Sequence, residues 1–441
     1  MRLALLVLVV LLAGGPSAAT PQPGLAGSHP CSHEAGFTCS TLTVPLDYAG
    51  RRGGELQLAV AVADNADAPR GALLVIAGGP GQPGVSYAAA IASILGTVAQ
   101  QYRIVMYDQR GTGAGALRCP ALQAAVGASD LYPPPAAAVR ACARTIGTAR
   151  SFYGTDDVVA DMESLRQALG VDTWTLDGVS YGAFVGERYA IAHPGRVTRL
   201  VLDSVVPHNA GFELVPLEFR AVARVLRIAC GRRCSQDLAA VVRRTGDGPD
   251  LLAAVTRMSV DPTFRTPRDL ADVLHRARLG DTEPLHALLR TVRSWESAPP
   301  EDLSQALHAS ALCADWRFPW GRSDAPVAGR AASLARAASR LPAAELWPFD
   351  RATASGIGYE QECLPWPPSA STPGVPRLLP PVPTLLLSGD RDISTPLEWA
   401  RLEAAVAPNG HLVVIDGAGH SIQNPGMSDT ARRALVEFLA G

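Results

Sequence analysis

Gly178-Val179-Ser180-Tyr181-Gly182 lies between an apolar run, Trp174-Thr175-Leu176, and a helix-like segment, Ala183 to Ala192. A serine in a G-x-S-x-G turn between a strand and a helix is held out at the C-terminal end of the sheet. Only small residues fit two places before and two after it, because the turn is too tight for a side chain. The N–H of the next residue, Tyr181, is left free to stabilise an oxyanion. A serine hydroxyl is a weak nucleophile, so it needs a base, and the base needs an orienting carboxylate. His420, in Asp416-Gly417-Ala418-Gly419-His420-Ser421, follows a strand-like run and is the candidate base. Asp392, in Ser388-Gly389-Asp390-Arg391-Asp392-Ile393-Ser394-Thr395-Pro396, follows another and is the candidate acid. Asp390, two residues nearer that strand, and Asp203, at the end of a third strand, are its alternatives. His411 opens its strand and belongs at the opposite end of the sheet, while His193 ends the helix after the serine. This constellation does acyl transfer through an ester on Ser180.

An oxyanion hole needs two backbone N–H groups aimed at one point. Tyr181 is one candidate donor. The other is Gly79 in Gly78-Gly79-Pro80-Gly81, which follows the buried run Gly71 to Ala77. A phosphate cradle is the competing use of such glycines, but no G-x-x-x-x-G-K-[ST] pattern exists here. The elements that must carry these residues are legible from periodicity. Thr38 to Val44 and Glu55 to Val62 alternate like half-buried strands, and Arg103 to Tyr107 is a second continuous apolar strand. Thr155 to Leu169 has helical spacing, with Asp156 and Asp157 near its start. Arg199 to Asp203, Thr384 to Ser388 and His411 to Ile415 complete the strands, and a helix closes the chain from about Thr430 to Leu439. Strands alternating with helices, with serine, acid and histidine in that order, predict an α/β-hydrolase: a doubly wound, mostly parallel sheet.

Between Asn209 and Thr372 the strand pattern disappears, and Arg, Ala and Leu recur at helical spacing, as in Asp269 to Leu279 and Pro284 to Val292. The expected organisation is therefore a signal peptide at 1–19, a first part of the core at 31–208, a helical cap at 209–372 and the rest of the core at 373–441.

The leader rests on Arg2, the apolar run Leu3 to Ala13 and the small residues up to Ala19. That run is too short to span a bilayer. The expectation is a secreted protein with no membrane association after signal cleavage. Eight cysteines suit an oxidising compartment: Cys31, Cys39, Cys119, Cys142, Cys230, Cys234, Cys313 and Cys363. Neighbour pairing (31–39, 119–142, 230–234, 313–363) is the economical arrangement, although spacing alone does not fix connectivity. Cys230 and Cys234 have no second ligand pair nearby, so no metal is expected. The 441 residues are 47% hydrophobic and 18% charged, with a net charge of -2, giving no reason to expect a nucleic-acid partner. All 39 basic residues are arginine, which excludes Walker-type, Schiff-base and kinase-type lysines. No cofactor is expected.

Four segments together carry a family resemblance: Ala77 to Gly81, Tyr107-Asp108-Gln109-Arg110-Gly111-Thr112-Gly113, Gly178 to Gly182, and Gly389 to Asp392 with Thr395-Pro396. They resemble the proline iminopeptidase and tripeptidyl aminopeptidase group of α/β-hydrolase serine peptidases. Cys313-Ala314-Asp315-Trp316 and Cys363-Leu364-Pro365-Trp366-Pro367 resemble the secreted tripeptidyl aminopeptidase branch. Ala77 departs from the pattern, since many relatives have His before Gly-Gly-Pro-Gly. The resemblance implies a secreted serine exopeptidase that releases short peptides or single residues from free N-termini. Its partners would be peptides with a free amine. Such an enzyme must pair a desolvated ammonium with a carboxylate; the candidates are Asp315, Glu360 and Glu362. Arg110 is expected to brace the Gly-rich loop. The alternative is a secreted ester or amide hydrolase with the same triad, because fold and triad do not determine substrate.

Overall fold

The computed structural model describes residues 24–260, 267–369, 375–423 and 428–441. The expected signal peptide at 1–19 lies outside the described residues. The strands are β1 (Leu25–Pro30), β2 (Phe37–Pro45), β3 (Glu55–Ala63), β4 (Ala72–Ile76), β5 (Arg103–Tyr107), β6 (Trp174–Val179), β7 (Val197–Asp203), β8 (Thr384–Gly389) and β9 (Gly410–Ile415). They form one nine-stranded sheet in the order β1-β2-β3-β5-β4-β6-β7-β8-β9. The β1–β2, β2–β3 and β3–β5 pairs are antiparallel, and every pair from β5 through to β9 is parallel.

Burial explains the two kinds of strand pattern. All of β4 and all of β8 are buried, because helices cover both faces of the parallel region, so these strands read as unbroken apolar runs. Along β4, Ala72, Leu74 and Ile76 face one layer, packed with Met162 and Leu165 of the helix Thr155–Ala168 and Val185 of the helix Tyr181–Ala192. Leu73 and Val75 face the other layer, with Leu95 of the helix Ala88–Leu95 and Leu435 and Leu439 of the helix Asp429–Ala440. The sheet is thus doubly wound.

Between β7 and β8 the described chain is helical, from Val215–Thr245 to Gly358–Cys363. This insertion has its own apolar core, including Phe219, Leu238, Leu252 and Trp316. One feature differs from the sequence expectation. Leu122, Val126, Val139 and Cys142, within the 31–208 segment expected to form the first part of the core, belong to the apolar core of the insertion. They lie on the helices Pro120–Val126 and Ala136–Ile146, between β5 and β6. The spacing of Val139, Cys142, Ala143 and Ile146 marks a buried face on the second helix, but an apolar stripe does not say which layer it packs against.

The cysteines are bonded as Cys31–Cys39, Cys119–Cys142, Cys230–Cys234 and Cys313–Cys363. The last joins the helix Gln305–Asp315 to the helix Gly358–Cys363 across a sequence separation of 50. A cross-link that closes a long loop removes entropy from the unfolded chain. Replacing both Cys313 and Cys363 by Ser is therefore expected to cost roughly 2–4 kcal/mol. A denaturant midpoint unchanged by this double substitution would contradict that role.

Candidate active site

Ser180 joins β6 to the helix Tyr181–Ala192 with φ 57° and ψ −122°, a conformation that L-residues adopt only under constraint. The flanking glycines supply the constraint. A Cβ on Gly178 would strike the carbonyl of Gly182, and a Cβ on Gly182 would strike the carbonyl of Ile76 in β4. The helix start is therefore pressed onto the neighbouring strand. Tyr181 is the first residue of that helix, where backbone N–H groups have no intrahelical acceptor.

The loop after β4 lies against this turn: a Cβ on Gly78 would come within 3.2 Å of Ser180 Cβ. Gly79 has φ 111°, and a Cβ there would be 2.5 Å from the N of Gly81, so no other residue fits. Asp108 anchors the far side of the loop, accepting from the N–H groups of Gly84 and Val85, both at 2.9 Å. Gln109 Nε2 donates to the Ala77 carbonyl at 3.0 Å. Arg110 is fully buried and makes a bidentate pair with Asp161, at 2.7 and 2.6 Å. It thus ties the strand end to the helix Thr155–Ala168 and is absent from the walls of the clefts at Ser180.

Three acids were open for the histidine partner, and the geometry separates them. Asp392 is completely buried, and its Oδ2 lies 2.9 Å from His420 Nδ1. Thr395 fixes that carboxylate, donating its N–H to Oδ1 at 2.9 Å and its hydroxyl to Oδ2 at 2.7 Å. Asp203 instead accepts the N–H groups of Ile422 and Gln423, at 3.1 and 2.9 Å. Asp390 accepts the N–H of Gly417 at 2.7 Å. Asp203 and Asp390 therefore hold the two ends of the loop that carries His420. His411 pairs with Leu385 near the start of β8, remote from this loop. Burial alone would lower the His420 pKa, but the Asp392 charge and hydrogen bond outweigh it, and the net shift is upward. Ser180 and His420 line the same cleft without a direct hydrogen bond between them. Such bonds often tighten only when substrate is bound.

A second cavity opens from Ser180 between the sheet and the helical insertion. Gly79 and Tyr181 lie on its wall, with Asp130, Glu218, His308 and Asp315 beyond them. Asp315 is on this wall; its Oδ2 accepts from the Thr155 hydroxyl at 2.6 Å, and that hydroxyl also contacts the Tyr181 hydroxyl at 2.7 Å. Its other oxygen is buried without a hydrogen bond, and burial raises its pKa to about 6. Glu360 and Glu362 are buried and do not reach the wall. Glu362 bonds His308 Nδ1 at 3.0 Å, and neither carboxylate oxygen of Glu360 has a hydrogen-bond partner. Sequence reading overlooked Glu218 and Asp130. Glu218 lies in an Arg- and Ala-rich helix, where one acid carries no local signal. Its carboxyl accepts from the Tyr359 hydroxyl at 3.2 Å, and burial, with Asp130 adding to it, pushes its pKa up to about 8.

An elbow serine, a buried Asp–His pair on the following loops and a doubly wound sheet define an α/β-hydrolase. The chain has that fold: a family model described as alpha/beta hydrolase fold matches residues 71–226, and one described as TAP-like protein matches residues 350–441. Among curated relatives, the tripeptidyl aminopeptidase of Streptomyces coelicolor is 31% identical over 188 residues, covering 38% of this chain and 35% of that protein. Serine protease Hip1 of Mycobacterium tuberculosis is 30% identical over 192 residues, covering 40% of this chain and 37% of that protein. A probable proline iminopeptidase of Streptomyces coelicolor is 38% identical over 104 residues, covering 24% of this chain and 25% of that protein. The matched segment thus spans little more than a third of the length of the first two relatives.

The pH dependence follows from His420. As the candidate base for Ser180, its imidazole can accept a proton only when neutral, and its pKa lies above the usual 6.5. Hydrolysis should therefore fall away on acidification with a midpoint above 6.5 in a kcat/KM profile. Asp392→Asn should move that midpoint down and lower kcat by roughly ten-thousand-fold. A near-wild-type rate with an unmoved profile would exclude Asp392 as the partner of His420.

Proposed function

We propose that this protein is a secreted serine exopeptidase that cleaves short peptides or single residues from free N-termini. In this reading Ser180 is the nucleophile, His420 the general base and then acid, and Asp392 the residue that orients the imidazole. The N–H groups of Gly79 and Tyr181 receive the oxyanion. His420 removes the hydroxyl proton as Ser180 attacks the carbonyl carbon, and returns it to the leaving amine as the C–N bond breaks. Water, activated by the same imidazole, then hydrolyses the ester and regenerates Ser180.

The observation that carries the exopeptidase reading is the charge of the cavity beside Ser180. Its wall holds Asp130, Glu218 and Asp315, and among the described residues no arginine lines it, in a chain whose 39 basic residues are all arginine. The one imidazole there, His308, is engaged by Glu362. A buried carboxyl whose pKa has risen to about 8 is destabilised as an anion, and an incoming ammonium removes that penalty. Glu218 and Asp315 are therefore the amine receptors, with Asp130 at the rim. Glu360 and Glu362 stand behind them and shape the wall. The tripeptidyl aminopeptidase and probable proline iminopeptidase among the relatives support the same substrate class. Export is supported by the four disulfides. No helix of the described residues is long and apolar enough to cross a membrane.

Two measurements test this reading. Ser180→Ala should lower kcat by on the order of a million-fold with the fold intact; retention of a tenth of wild-type activity would remove Ser180 from the mechanism. An N-acetylated peptide should lose roughly a hundred- to several-thousand-fold in kcat/KM beside its free-amine twin, because a buried pair has lost one partner. Glu218→Gln should erase most of that discrimination while sparing a simple ester. Equal cleavage of blocked and free peptides would favour the ester or amide hydrolase instead.

A further inference from the structure

Along the helix Tyr181–Ala192, outside the clefts at Ser180, three titratable side chains meet without a role in the mechanism above. Glu187 comes from that helix, His208 from the segment after β7, and Glu403 from the helix Leu397–Ala404 that follows the Asp392 loop. Glu187 and His208 are fully buried and Glu403 is 1% exposed. One donor atom from each lies within 4.8 Å of the other two. None of the three lines the clefts at Ser180.

The hydrogen bonds define what the cluster lacks. His208 Nε2 is 2.9 Å from the Pro376 carbonyl, which can only accept, so Nε2 carries a proton. The other nitrogen, Nδ1, is turned toward the carboxylates, 2.6 Å from Glu403 Oε1. A backbone carbonyl that holds one imidazole nitrogen while the other faces an acidic pocket is the usual outer support of a metal-bound histidine. Neither carboxylate oxygen of Glu187 has any hydrogen-bond partner. The guanidinium of the adjacent Arg188 is bonded to Asp156 at 3.0 Å and makes no hydrogen bond to Glu187, so its charge offsets the cluster only from a distance.

We propose that Glu187, His208 and Glu403 form a structural site for one divalent first-row cation, of the zinc or manganese type. Two carboxylates and a neutral imidazole carry two negative charges, which one such ion cancels. Two oxygens and one imidazole nitrogen without thiolate are the donors these ions accept, with further positions open to water or a second carboxylate oxygen. Metal–ligand distances of about 2.0–2.2 Å require donors roughly 3–4 Å apart, within reach of small side-chain adjustments. The ion would clamp the helix that begins beside Ser180 to the helix that follows Asp392. No sequence motif announces the site, because His208 and Glu403 are separated by 195 residues.

The competing arrangement places two protons in the cluster, one on Glu187 and a second on His208, and experiment separates the two. Full-length protein produced with added Zn2+ and Mn2+ is dialysed and its metal content measured by plasma mass spectrometry. About one ion per chain is expected, with loss of the ion and a lower Tm after refolding in chelator, both restored by Zn2+. Glu187→Gln and His208→Ala should each abolish the stoichiometric ion. If neither variant folds, the wild-type metal content and its response to chelator decide. Metal-free wild-type protein whose Tm ignores chelator and Zn2+ would overturn the proposal. So would an ion retained by both variants, or a Glu187→Gln protein that is metal-free and as stable as wild type.

Discussion

The close approach of the helix Tyr181–Ala192 to β4 is the constraint on which the rest depends. Gly182 sits so near the Ile76 carbonyl, and Gly178 so near Gly182, that the chain between them can turn only with Ser180 at positive φ. A serine in that region costs on the order of 1–3 kcal/mol, and the surrounding structure must over-determine it. It does so through buried parallel strands on both sides and through the Ser180 N–H, which donates to the Asp203 carbonyl at 2.8 Å. The strain is useful. It holds the hydroxyl at the end of the sheet and leaves the first N–H of the helix unpaired beside it.

The same economy governs the other side of the site. Three aspartates at strand ends divide the labour of holding one loop: Asp390 and Asp203 fix its backbone, and Asp392 alone meets the imidazole. Asp203 also accepts the Ser204 hydroxyl, and Ser204 in turn takes the N–H of Ser421. The His420 ring is thus positioned by backbone hydrogen bonds on both flanks. The helical insertion adds the remaining wall and closes an acid-lined cavity over the serine. Site and insertion are coupled through Thr155, which links the Tyr181 hydroxyl to Asp315.

Most of the sheet was legible because parallel strands buried on both faces read as unbroken apolar runs, as in Leu73 to Ile76 and Leu385 to Leu387. The exposed edge strand β1 escaped notice, since Leu25 to Pro30 carries no alternation. At the site, Ser180, His420 and Asp392 could be read because each follows a strand and sits in a short glycine-containing loop. Their competition with Asp390 and Asp203 could not be resolved that way, because all three acids occupy strand ends and only side-chain direction distinguishes them. Glu218 and the Glu187–His208–Glu403 cluster had no local signature at all. Both arise where helices distant in sequence pack together, and a single acid in an ordinary helix does not declare which way it faces. The reverse holds for Glu360 and Glu362, whose proximity to Cys363 in the chain does not bring them to the cavity wall.

The central claim is that this turn makes Ser180 the one activated nucleophile of the protein. It is tested most directly by treating the folded protein with a fluorophosphonate and locating the adduct by intact mass and peptide mapping. A single adduct on Ser180, formed at a rate that collapses in His420→Ala, is the expected result. No adduct, or an adduct on another residue while Ser180 stays unmodified, would contradict the account.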